Sequence, residues 1–140
     1  MNSRLRVYTD GASRGNPGPS AIAFVLVGED RKMLKRYSGY VGVRTNNQAE
    51  YEALISALEF ASSLPTQEAV CYMDSELVVK QLNGEYRVRS PTLEILWLKV
   101  HRLKQKFQKI SFIHVPRTNT HIQLVDRLAN QALDRAGYIR

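Results

Sequence analysis

The stretch Thr45-Asn46-Asn47-Gln48-Ala49-Glu50-Tyr51-Glu52-Ala53-Leu54 decides how this chain is read. Its periodicity predicts a helix running to about Leu64, with Ala53, Leu54, Ala57, Leu58 and Ala61 in one apolar stripe at i, i+3, i+4 spacing. Glu50 lies three and four residues before Ala53 and Leu54, so it shares the buried stripe, one turn from the helix start. Glu52 and Glu59 fall on other faces, as solvent-side charges. A carboxylate on the core-facing side is costly to bury without a compensating positive charge. One reading of Glu50 is an acid favoured by the helix N-terminal dipole. The other is a metal ligand, and that reading requires more acids aimed at the same point.

Working outward, Arg4 to Asp10 alternates with Leu5, Val7 and Thr9 on one face, as a strand does. Asp10 ends it and opens a loop of turn residues, Gly11-Ala12-Ser13-Arg14-Gly15-Asn16-Pro17-Gly18-Pro19. Ile22, Phe24 and Leu26 alternate in a second strand, and Met33 to Val41 forms a third beyond the turn at Gly28 to Lys32. After the Glu50 helix, Ala69 to Met73 reads as a buried fourth strand ending at Asp74. Ser75 would cap a helix that stops at Asn83-Gly84. Ser90-Pro91 opens the next helix, whose stripe is Leu93, Leu96, Trp97, Val100, Leu103 and Phe107. Ile110 to Val115 is a fifth strand, and a last helix begins at about Gln123.

This is an α/β pattern in one domain, residues 1–140. Strands four and five enter through helices and should lie parallel to strand one, with strand two antiparallel. A mixed five-stranded sheet in the order 3-2-1-4-5, with helices on both faces, meets those constraints. It sets the ends of strands one and four side by side, and with them Asp10 and Asp74. Ligands of open α/β sheets gather at such strand ends. Taken singly, Asp10 is a turn residue and Asp74 a helix cap. Taken with inward Glu50, they make three like charges that lose stability without cations. Magnesium, or manganese as a substitute, favours such carboxylate oxygens. Asp126, expected in the first turn of the last helix, is the candidate fourth ligand, with the helix dipole as the competing explanation.

The composition agrees. The 140 residues carry a net charge of +7, and the segment from Lys80 to Lys109 holds eight Lys or Arg against Glu85 and Glu94. That balance suits a polyanionic partner such as nucleic acid. The longest apolar run, Ala21 to Val27, is too short to cross a bilayer. A single cysteine, Cys71, excludes an intrachain disulfide, and no apolar signal region precedes Arg4, so a cytoplasmic protein is expected.

Four segments, Tyr8-Thr9-Asp10-Gly11-Ala12-Ser13-Arg14-Gly15-Asn16-Pro17-Gly18-Pro19, Thr45 to Glu50, Asp74-Ser75 and Val125-Asp126-Arg127-Leu128-Ala129, resemble those of type 1 ribonuclease H. The resemblance runs from about Arg4 to Leu133. It implies a ribonuclease H-like fold and endonucleolytic hydrolysis of the RNA strand of RNA/DNA hybrids by two metal ions, leaving 5′-phosphate and 3′-hydroxyl ends. By motif position it makes Asp10, Glu50, Asp74 and Asp126 the catalytic metal ligands. Asn16, Arg44, Thr45, Asn46, Asn47 and Gln48 become candidates for contacts with the hybrid.

Three departures stand out. The segment before the Trp97 helix is short, as in the compact form of the family that lacks a basic protrusion. Arg87, Arg89 and the face made by Lys99, Arg102 and Lys106 are then the candidates for holding the hybrid. Glu76 stands where many relatives have glutamine. The segment Arg117 to Gln123 does not match the loop that carries a mobile histidine in many relatives, which leaves His121 or Arg117 as an auxiliary group. A monomer is expected. The alternative is a catalytically weak module of the same fold that binds hybrids or double-stranded RNA.

Overall fold

The computed structural model describes residues 3–138. Its elements are β1 (Arg4–Ser13), β2 (Gly18–Val27), β3 (Met33–Arg44), α1 (Asn46–Ala61), β4 (Glu68–Met73), α2 (Glu76–Leu82), α3 (Pro91–Lys104), β5 (Lys109–His114) and α4 (Thr120–Arg135). The strands form one sheet in the order β3-β2-β1-β4-β5. β2 is antiparallel to both of its neighbours, while β4 is parallel to β1 and to β5. This is the mixed sheet expected from the order of elements.

Two hydrophobic cores explain why the central strands are apolar on both sides. Leu5 and Val7 of β1 and Phe24 and Leu26 of β2 pack under α1, α2 and α3, through Tyr51, Leu54, Leu58, Val78 and Val100. The alternate residues Tyr8, Ala21, Ala23, Val25 and Val27 pack under α4, through Val125, Ala129 and Leu133. A sheet covered on both faces reads as a continuous apolar run, as Ala21 to Val27 does. Among the described residues, no helix is long and apolar enough to cross a membrane.

Several boundaries differ from the sequence reading, and three of the shifts have a clear local reason. β1 does not end at Asp10. Its parallel ladder with β4 stops at Tyr8 opposite Tyr72, but the antiparallel ladder with β2 continues to Ser13 opposite Ser20. α1 stops at Ala61 because the Ser62 and Ser63 hydroxyls donate to the carbonyls of Glu59 and Phe60, a local competitor of the helical ladder. α4 begins at Thr120, where the Asn119 side chain accepts from the N–H groups of His121 and Ile122.

Candidate active site

The sheet builds the site by letting β1 outrun β4. Where the parallel ladder ends, the Gly11 N–H donates to Glu50 Oε1 at 2.6 Å. α1 crosses so closely that a Cβ on Gly11 would lie 2.3 Å from the Ala49 carbonyl carbon. Only glycine allows this approach, and the approach sets Glu50 beside Asp10. Thr45 and Gln48 fix the helix start reciprocally. The Gln48 N–H donates to the Thr45 hydroxyl and the Thr45 N–H to Gln48 Oε1, a capping box. Ser75 caps α2 by accepting from the Val78 N–H, so the Asp74 carboxylate is not used as the cap.

Carboxylate oxygens of Asp10, Glu50 and Asp74 all lie within 4.8 Å of one another. Asp10 and Glu50 are buried, at 6% and 7% exposure, and Asp74 is half-buried. Asp126 lines the same cavity, of about 510 Å³, from α4. It is exposed and lies in the second turn of α4 rather than the first, because the helix starts earlier than its apolar spacing suggests. The helix-dipole explanation of Asp126 therefore loses its footing, since the effect fades beyond the first turn.

Crowding is visible in the ionisation of the pair. Burial, then the neighbouring Glu50, hold the Asp10 carboxyl well above the usual carboxylate range. Burial lifts Glu50 to about 7, against the lowering effect of its hydrogen bonds to Asp10 and Gly11. Among the described residues lining the cavity, Arg117 is the only cation, and it meets Asp74 at 3.4 Å from an exposed side chain. The cavity thus holds four carboxylates against one exposed guanidinium. An all-oxygen donor set of this kind fits a hard divalent cation.

The remaining candidates divide. Asn46 and Asn47 line the cavity. Asn16 stands behind them, its Oδ1 accepting from the Asn46 N–H at 3.0 Å. Thr45 and Gln48 are engaged in the cap, and the Arg44 Nε pairs with Glu52 at 2.8 Å. The His121 ring is not part of the cavity lining. It stacks on Tyr8 at 4.4 Å between centroids, and Tyr8 also stacks with Tyr72 at 4.8 Å. Glu76 is exposed and pairs with Lys80 at 2.9 Å, away from the cavity. Lys99, Arg102 and Lys106 line a separate cleft between α1 and α3, where Glu52 and Glu59 face them. The sequence reading missed Gln123 and Asn130 in the cavity wall. The i, i+4 spacing of Asp126 and Asn130 was the available signal for the second.

Comparison with known proteins agrees with this geometry. The family described as "Reverse transcriptase-like" matches residues 8–132. A ribonuclease HI of Halobacterium salinarum is 43% identical over 133 residues, 95% of this chain and 66% of the relative. A Mycobacterium tuberculosis protein described as bifunctional is 41% identical over 95% of this chain, which spans 36% of that protein. This chain therefore covers about two thirds of one such relative and about a third of the other. The crystal structure of the type 1 ribonuclease H from Halobacterium salinarum superposes with a TM-score of 0.90 at 42% identity, covering 94% of this chain and 98% of that one. A type 1 ribonuclease H isolated from compost, crystallised with an RNA/DNA hybrid, superposes with a TM-score of 0.86 at 41% identity, covering 96% and 99%. With sheet order, strand-end acids and near-complete superposition all in agreement, the chain belongs to the type 1 ribonuclease H family.

Proposed function

We propose that this chain is a metal-dependent endonuclease that hydrolyses the RNA strand of RNA/DNA hybrids, leaving 5′-phosphate and 3′-hydroxyl ends. The observation that carries this reading is the convergence of Asp10, Glu50 and Asp74, from β1, α1 and the end of β4, within 4.8 Å. Three acids from separate elements, two of them buried, oppose one another unless a cation joins them. Asp10, Glu50, Asp74 and Asp126 would hold two magnesium ions, with manganese as a substitute. Bound there, the ions would supply Lewis-acid activation of the attacking water and stabilisation of the leaving oxygen.

The chain's own residues do the rest. Asn46 and Asn47 offer amides in the cavity at the start of α1, where a ribose 2′-hydroxyl, the group that marks RNA, can be read. Gln48 holds the capping box that fixes their direction, and Asn16 braces Asn46 from behind. Thr45 and Arg44 directly precede this group in the chain and suit a phosphate of the DNA strand. Arg117, exposed beside Asp74, can swing onto the phosphate to be cut. A hybrid as the ligand is supported by the compost relative, which was crystallised with one.

Incubation with end-labelled RNA/DNA hybrid, double-stranded RNA and DNA duplex, each with magnesium or manganese, tests the assignment. The expected result is metal-dependent cutting of the RNA strand of the hybrid alone or foremost. Binding of the hybrid without cleavage under any metal condition would contradict it.

A further inference from the structure

Asp126 differs from the other three acids in its exposure and in its distance from them. It is exposed and is not among the carboxylates gathered within 4.8 Å. What holds it is Asn130, one turn further along α4. The Asn130 Nδ2 donates to the Asp126 main-chain carbonyl at 3.0 Å and to Asp126 Oδ1 at 3.3 Å. Asn130 is held in turn by Arg14, which enters from the loop after β1. The Arg14 Nη2 donates to the Asn130 main-chain carbonyl at 3.1 Å and to Asn130 Oδ1 at 3.4 Å, and pairs with Asp134 at 2.8 Å. Its Nη1 donates to the Tyr138 carbonyl. The Arg14 side chain is only 12% exposed.

The chemistry fixes the direction of this relay. A guanidinium can only donate, so the atom it meets on the Asn130 carboxamide must be the oxygen. The amide nitrogen is thereby turned toward the Asp126 carboxylate, and the opposite orientation would bring N–H groups against a cation. We propose that Arg14 and Asn130 are positioning residues that aim the Asp126 carboxylate at the acid cluster. The proposal rests on the reading of Asp126 as a metal ligand. It makes the fourth ligand depend on the loop that follows the strand carrying Asp10, joining the two faces of the sheet at the site.

Asn130→Ala is the cleanest variant, because alanine favours the helix and is not expected to unfold it. Partners that orient a metal ligand typically contribute about 10–100-fold in metal affinity. Manganese binding followed by calorimetry should therefore weaken by about that factor in Asn130→Ala. The magnesium concentration for half-maximal cleavage should rise in parallel, with the KM for hybrid and the melting temperature unchanged. Arg14→Lys keeps the charge but loses the fork, and should weaken manganese binding in the same direction. The double variant should bind manganese no more weakly than Asn130→Ala, because the two residues act in series. Additive losses would overturn the role of Arg14. Wild-type manganese binding by Asn130→Ala, together with loss in Asp126→Asn, would overturn the positioning relay alone. Wild-type binding by Asp126→Asn would overturn the fourth ligand and the positioning relay with it.

Discussion

Glu50, buried against Asp10 and facing Asp74, keeps its proton to about pH 7 in the metal-free protein. The ordinary value of the group is 4.5. Between those two values the folded protein binds more protons than the unfolded chain, so stability falls as pH rises through the window and stays reduced above it. Asp10, raised for the same reasons, acts in the same direction. Glu50→Gln removes one of the opposed charges. At pH 8 without metal it should melt higher than wild type, and the fall in stability from pH 5 to pH 7 should flatten. Thermal melts across that range check this, and an unchanged slope would contradict the electrostatic account. The three converging acids were legible in the sequence because each stands at the end of a strand pattern or on a helix stripe. Asn130 was legible only as the i, i+4 neighbour of Asp126 on one helix, and Arg14 was not, because its partner is 116 residues away and only the folded sheet brings the two together.

At the scale of elements, the order and pairing of the strands followed from connection lengths and apolar alternation, and the ends of the elements did not. β1 runs past Asp10 because β2 still pairs with it after β4 has stopped. An apolar pattern marks where a strand is buried, not where an edge remains hydrogen-bonded. α4 starts before its first buried residue because Asn119 supplies a cap. Lys99 and Arg102 of α3, with Lys106 just beyond its end, line a cleft together with Glu52 and Glu59 of α1. If this face helps to hold the hybrid, the Lys99→Ala/Arg102→Ala/Lys106→Ala variant should show a shallower slope of log affinity against log salt. The change should be about 0.9 for each phosphate left without its cation on B-form DNA, and somewhat different on a hybrid. Filter binding across a salt series in calcium or without metal measures it. An unchanged slope would make the face an ordinary solvated surface whose charges are balanced by α1.

For the whole molecule, the two cores serve one geometry. α1 and α2 are fixed to one face of the sheet and α4 to the other, so acids borne by both layers line one cavity where β1 outruns β4. The net charge of +7 surrounds a cavity that is itself acidic. That arrangement suits a polyanion overall, and on the proposed function the acidic cavity would be neutralised by divalent ions. The central claim is that hydrolysis of the RNA strand depends on this acid cluster. It is tested most directly by the rate of hybrid cleavage in saturating magnesium by wild type and Asp10→Asn, with melting curves taken on the same preparations in the absence of divalent metal. The account predicts cutting of the RNA strand by wild type and none by Asp10→Asn, whose melting temperature equals or exceeds that of wild type. Cleavage by Asp10→Asn at a near wild-type rate would contradict it.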